Sequence, residues 1–213
     1  MVGLFLFLPM IAQGRKITIV ALGDSTTAGT PFFRSPLEVP PYGAGDPEAF
    51  YGFWMMKKEP QWTVLNYGIN GQRSDEIRDR LEAVFASHPS YIVVLAGVND
   101  IYQGTDLQMT VRNLGGMYRE IQRKNVIPVA ASVLPFDKAT TTQAAEIRDL
   151  NKWIKHTAEK FKIPFVDLNK AVADPAHPDQ LNGTPDGLHP DEGSYRQMGF
   201  AVLRVIREME TSH

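Results

Sequence analysis

Short apolar runs rich in β-branched residues alternate along this chain with segments of helical period, and that alternation restricts the fold more than any other feature. Residues 17–22 form a nearly continuous apolar run closed by Gly23, and residues 63–65, 91–96, 126–133 and 163–166 read as further buried strands. Strands that are apolar on both faces belong to a covered, mostly parallel sheet. Between them, residues 74–85 carry Ile77, Leu81, Val84 and Phe85 at helical spacing, with Ser74 expected as the N-cap. Leu107, Val111, Leu114, Tyr118 and Ile121 make a second stripe, and Ile147, Leu150, Ile154, Thr157 and Phe161 a third. A last stripe, Tyr195, Met198, Val202, Val205 and Met209, runs nearly to the C-terminus. The order predicts an α/β fold: a three-layer α/β/α sandwich on a mostly parallel sheet of about five strands with right-handed crossovers.

At 213 residues the chain is within the size of one hydrophobic core, so residues 16–213 are expected to form a single domain. Residues 1–15 are set apart. Residues 2–12 are apolar except at Gly3 and Pro9, well short of the ~20 residues a bilayer-spanning helix needs. They read either as the remnant of a secretory signal, which would make the protein secreted or periplasmic, or as an apolar arm, which would leave it cytoplasmic. An arm would dock on its own domain or on a second copy of a homo-oligomer. No transmembrane span is expected elsewhere. The formal charge of −2, with no long basic run, argues against a nucleic-acid partner. The absence of cysteine removes thiolate zinc sites, iron–sulfur ligation and a cysteine nucleophile.

In α/β sheets, ligands bind beyond the carboxyl ends of the strands. Four segments stand at such places: Gly23-Asp24-Ser25, the run from Asn66 through Gly68 and Asn70 to Gly71, Gly97-Val98-Asn99-Asp100, and Asp186-Gly187-Leu188-His189. Singly, each has an ordinary structural reading; Gly-Asp-Ser, for example, suits a helix start. Together they supply what acyl transfer requires. A serine hydroxyl needs a base within hydrogen-bond reach, and His189 suits that task. Asp186, three residues earlier, can accept from the other ring nitrogen and fix the tautomer. The oxyanion of a tetrahedral intermediate needs fixed donors, and the Ser25 N–H, the Gly71 N–H and the Asn99 side-chain amide are on offer.

On these four blocks, in this order, the chain resembles the SGNH hydrolases, also called GDSL esterases and lipases. The resemblance runs from about Lys16 to the last helix. It implies a flavodoxin-like sandwich and hydrolysis of an ester or thioester without a metal or other cofactor. Carried over residue by residue, it makes Ser25 the nucleophile, Asp186 and His189 its catalytic partners, and Ser25, Gly71 and Asn99 the oxyanion hole. Gly68 is the rival to Gly71. Asp24 and Asp100 are expected to brace their loops. The proline-rich residues 30–46 and the apolar N-terminal segment depart from the family pattern.

A small-molecule ester with a short acyl chain is the expected substrate. A carbohydrate acetylesterase, a lysophospholipase and a thioesterase are the alternatives within the family. Two further readings come from other classes. A glycoside hydrolase would use carboxylates among Asp24, Asp100 and Asp186, and a non-catalytic protein would carry a blocked site. Residues 30–46 are expected to cover the site, with Phe32, Phe33, Tyr42, Phe50, Tyr51, Phe53 and Trp54 offered partly to substrate and partly to the core. His177 is the decoy histidine, before the catalytic turn.

Overall fold

The computed structural model describes residues 16–211; the apolar arm or signal remnant of residues 1–15 lies outside them. Five strands form one sheet: β1 (Ile17–Gly23), β4 (Trp62–Gly68), β5 (Tyr91–Leu95), β6 (Ile127–Ala131) and β7 (Phe165–Val166). Two short strands, β2 (Phe33–Arg34) and β3 (Ala44–Gly45), pair antiparallel away from it. The sheet order is β4-β1-β5-β6-β7, and every neighbouring pair is parallel. Counting only the sheet strands, this is the flavodoxin-like order 2-1-3-4-5, whose switch point lies between β1 and β5.

Covering the sheet on both faces explains the unbroken apolar strands: Ile19 to Leu22 and Ile92 to Val94 have no solvent exposure. Helices α2 (Tyr51–Lys58), α8 (Leu168–Val172) and α9 (Glu192–Thr211) form one layer. The other holds α3 (Ser74–Asp79), α5 (Val98–Tyr102), α6 (Leu107–Arg123) and α7 (Thr141–Phe161). Leu114, Tyr118 and Ile121 of α6 and Ile147, Leu150 and Ile154 of α7 are buried, as their spacing predicts. On α9 the buried stripe is Tyr195, Met198, Val202 and Ile206, while Val205 and Met209 lie at its margin.

The helix expected over residues 74–85 is broken into α3 and α4 (Leu81–Val84), followed by a short 3-10 turn. The break falls at Arg80 (φ −98°, ψ 5°), whose guanidinium donates to the Gly23 carbonyl at 2.6 Å and to Gln72 Oε1 at 2.7 Å. Ser74 is not the cap. It is the first helical residue, and both its N–H and its hydroxyl are drawn to the Asp100 carboxylate, at 2.8 and 2.6 Å.

Of residues 30–46, Thr30 lines the cavity over Ser25. The segment folds as a strap closed by the β2–β3 pair and laid against the loop after β4. Of the aromatic residues in and after the strap, Tyr51, Phe50 and Phe33 are core and Tyr42 is exposed.

Candidate active site

At the carboxyl end of β1 the chain turns at once into a four-residue helix, α1 (Ser25–Ala28). Glycine is required at position 23 because a Cβ there would lie 2.1 Å from Thr27 Oγ1 and 2.4 Å from the Leu95 carbonyl oxygen. Asp24 caps α1, its Oδ1 accepting the Thr26 N–H at 3.0 Å. Ser25 follows as the first helical residue, so its N–H has no intrahelical acceptor.

The last turn before α9 approaches Ser25 from the far end of the sequence. Ser25 Oγ and His189 Nε2 are 3.0 Å apart, and His189 Nδ1 lies 2.7 Å from Asp186 Oδ2. The other Asp186 oxygen accepts the N–H groups of Leu188 and His189, both at 2.8 Å. Partial burial pushes the Asp186 carboxyl upward, but the His189 ring and these two N–H groups outweigh it and hold its pKa at about 2. The aspartate is therefore ionised at neutral pH, with its lone pairs fixing the histidine ring.

Gly68 and Gly71 occupy different environments. Gly68 ends β4 against α1, where a Cβ would stand 2.2 Å from the Ala28 nitrogen. Gly71 lies beyond it in the left-handed region (φ +74°) and lines the cavity over Ser25. Among the described residues the Gly71 N–H has no acceptor. Its carbonyl is held by Gln103 Nε2 at 3.1 Å. Asn99, on α5, lines the same cavity and donates one amide hydrogen to the Gln72 carbonyl at 3.0 Å, which leaves the other for a ligand.

The structure thus brings Ser25, Gly71, Asn99 and His189 around one cavity of about 200 Å³, with Asp186 behind the histidine. The two bracing aspartates stand outside it. Asp100 is buried and spends its oxygens on Ser74 and on Thr110 Oγ1 at 3.0 Å, tying α5 to α3 and α6. Asp24 is buried next to Ser25. Its pKa is raised to about 7, first by burial and further by Asp100, against the Thr26 N–H and Arg80, which lower it. Neither carboxylate faces the cavity, so the pair a glycosidase needs is missing. His177 sits in a surface turn 3.4 Å from Asp174, and His88 and His156 are exposed.

The remaining lining residues were not legible as such in the sequence, and they divide by strand. Thr26, Thr30 and Asn70, from the loops after β1 and β4, make a polar wall. Val98 and Tyr102 on α5, with Phe136 after β6, make an apolar wall that Leu188 completes. The Tyr102 and Phe136 rings meet edge to face, with centroids 5.9 Å apart. Tyr102 follows Val98 by one helical turn, which is the one signal that places it beside the Asn99 block.

A parallel α/β/α sheet with a serine, histidine and aspartate in hydrogen-bond sequence at its carboxyl edge is an arrangement used by serine hydrolases. The sequence profile of the GDSL-like lipase/acylhydrolase family matches residues 21–197, and the chain belongs to that family of hydrolases acting on esters. Solved structures agree in fold. A lipolytic protein of the G-D-S-L family from Desulfitobacterium hafniense superposes with a TM-score of 0.74 at 23% identity, over 89% of this chain and 99% of that one. A GDSL-like lipase from Bacteroides thetaiotaomicron gives 0.72 at 23% identity, over 93% of each chain. A variant of an acetyl-xylooligosaccharide esterase from Geobacillus stearmophilus gives 0.70 at 20%, over 91% of this chain and 95% of that one. No curated protein matches the chain. Among the described residues no helix is long and apolar enough to cross a membrane, and no cluster of three or more acidic or histidine side chains is arranged to hold a metal.

Proposed function

We propose that the protein is a serine esterase that hydrolyses short-chain carboxylic esters. The observation that carries this reading is the hydrogen-bonded sequence Ser25, His189, Asp186 opening onto a small cavity. In the cycle, His189 takes the Ser25 Oγ proton as the oxygen attacks the ester carbonyl. Asp186, ionised, stabilises the imidazolium that forms. The Ser25 N–H, the Gly71 N–H and the spare Asn99 amide hydrogen receive the oxyanion. Collapse of the tetrahedral intermediate breaks the ester bond, and the histidine proton passes to the departing alcohol. Water, deprotonated by the same histidine, then releases the acid and restores the serine.

The two walls support a division of the substrate between them. The apolar wall of Val98, Tyr102, Phe136 and Leu188 suits the acyl chain, and the cavity volume of about 200 Å³ favours a short one. The polar wall of Thr26, Thr30 and Asn70 suits an alcohol part that itself carries hydroxyls. That wall also supports a second reading, an esterase removing acetyl groups from sugars.

The test is an assay of wild type and Ser25→Ala on p-nitrophenyl esters from acetate to palmitate, with acetylated xylooligosaccharides alongside. Activity that is confined to short acyl groups and abolished in the folded variant supports the reading. Full activity in Ser25→Ala, or failure of a serine-reactive phosphonate to label Ser25 in wild type, overturns it.

A further inference from the structure

The strap of residues 30–46, which departs from the family pattern, is fastened to the loop that carries Gly71. Ser35 is fully buried and donates its hydroxyl to the Gly68 carbonyl at 2.6 Å. The chain then folds back on itself, the N–H groups of Glu38 and Val39 both bonding the Ser35 carbonyl, at 3.0 and 2.9 Å. This turn brings the Glu38 carboxylate between two backbone donors: Oε2 accepts the Ser35 N–H and Oε1 the Asn70 N–H, each at 3.2 Å. At the start of the strap, Thr30 Oγ1 donates to Asn70 Oδ1 at 2.5 Å, and the Thr30 carbonyl accepts the Tyr195 hydroxyl at 2.6 Å.

Residues 69–72 carry further ties from outside the strap: the Gly23 carbonyl holds the Ile69 N–H at 3.2 Å, Gln103 the Gly71 carbonyl, Asn99 the Gln72 carbonyl and Arg80 the Gln72 side chain, while the Gln72 N–H bonds the Ile69 carbonyl within the loop. Asn70, immediately before Gly71, is the residue held from the strap. Its N–H is taken by the Glu38 carboxylate at 3.2 Å, among the described residues the one backbone tie that links the strap to the residue before Gly71. Gly71 itself lies in a region of φ that glycine crosses freely, so its peptide orientation depends on these ties.

We infer that Glu38 is a positioning residue for the oxyanion hole: it cross-braces the strap and the Gly71 loop and so fixes the peptide next to the Gly71 N–H. The inference rests on the serine-esterase reading. Its chemical role is indirect, since Glu38 touches neither the cavity nor the nucleophile. Its product is preorganisation, and a misplaced donor forfeits transition-state stabilisation more than ground-state binding.

The experiment compares Glu38→Ala, Glu38→Gln and, as a control on the exposed neighbour, Leu37→Ala. Each is assayed on the best short-chain ester, with active sites counted by phosphonate titration, and with an alkyl boronate as a tetrahedral analogue. Glu38→Ala is expected to lower kcat per titrated site by about tenfold with KM within about twofold, and to weaken the boronate by the same factor as kcat. Glu38→Gln, which keeps one carbonyl acceptor, should fall between, and Leu37→Ala should match wild type. Amide exchange across residues 68–72 should quicken in Glu38→Ala, a readout that needs no substrate.

Unchanged kcat per site, a boronate affinity that does not follow kcat, an equal effect of Leu37→Ala, or unchanged exchange would each overturn the positioning role. A wild type that neither hydrolyses esters nor labels at Ser25 overturns the esterase reading instead. Quickened exchange would then support the brace by itself.

Discussion

Tyr102 offers the sharpest test of how the cavity selects its substrate. The residue stands at the end of α5 with about half of its surface exposed, and its ring meets that of Phe136 edge to face at 5.9 Å. A growing acyl chain along the apolar wall reaches this pair. Each methylene withdrawn from water contributes about 0.8 kcal/mol, close to fourfold in kcat/KM. Wild type should therefore gain about fourfold per carbon while the chain lies inside the cavity and gain nothing further once it meets the ring pair. In Tyr102→Ala the freed face of Phe136 accepts two or three more carbons, so the ratio of long-chain to short-chain kcat/KM should rise by about 16- to 60-fold. The stability cost is small, about 1 kcal/mol for the lost aromatic pair, because the ring is half exposed. The assay is kcat/KM on p-nitrophenyl esters from acetate to decanoate, with thermal unfolding as the folding control. An unchanged ratio in a folded variant would refute the assignment of the apolar wall to the acyl chain, as would equal loss at every chain length.

Three other substitutions follow from the same geometry. Asn99→Ala removes one oxyanion donor and should lower kcat by ~10²- to 10³-fold with little change in KM; a rise in KM alone, measured by steady-state kinetics, contradicts it. Asp186→Asn can still accept the Leu188 and His189 N–H groups, but it turns an amide donor toward His189 Nδ1 and imposes the wrong tautomer. Turnover should drop by about 10⁴-fold, and Tm at neutral pH should fall modestly because the ionised carboxylate that the fold holds at a pKa of about 2 is lost. The Asp24 carboxyl has a folded pKa of about 7 against an ordinary value of 3.8, so the folded state keeps a proton that the unfolded chain loses. Its contribution to stability declines as pH rises from about 4 to about 7 and is level beyond. Asp186 has the opposite sign: its folded pKa of about 2 gives stability that is present above 3.8 and lost as pH falls toward 2. Thermal scans should show the decline between pH 4 and 7 in wild type and a flatter profile in Asp24→Asn, which keeps the cap acceptor; parallel profiles would exclude the buried proton.

What was legible in the sequence was local, or repeated with a period. β1 and β5 announced themselves as unbroken apolar runs because helices cover both faces, whereas edge strand β4, whose burial alternates, was caught only at residues 63–65; α6 and α7 were legible because their buried faces repeat every three or four residues. The four blocks that meet at the cavity were readable because each sets a chemically specific side chain in a turn, three of them after strands β1, β4 and β5 and one before α9. The cavity walls were not. Thr30 and Asn70, or Tyr102 and Phe136, become neighbours only through the strand order, which no local pattern encodes. Ser74 misled because its hydroxyl has a better acceptor across space, the Asp100 carboxylate, than the helix backbone beside it. The strap misled for a related reason: without a period it reads as a loop of no fixed direction, while Ser35 and Glu38 commit it to a loop some thirty residues on, 33 for Ser35 to Gly68.

Ser25 and His189, the proposed nucleophile and base, are 164 residues apart in the chain, one on the turn after the first strand and the other on the turn before the last helix. The Tyr195 hydroxyl to Thr30 carbonyl bond closes a loop of similar length, 165 residues, and long-range closures are the slow part of folding an α/β sheet. The 3.0 Å approach of His189 to Ser25 requires β1 in its place at the switch point and α9 seated on the sheet. Catalytic competence is therefore a reporter of completed topology. A chain that has built its central strands but not docked its last helix has a sheet and a serine and no enzyme, so regain of activity during refolding marks the arrival of the C-terminal segment.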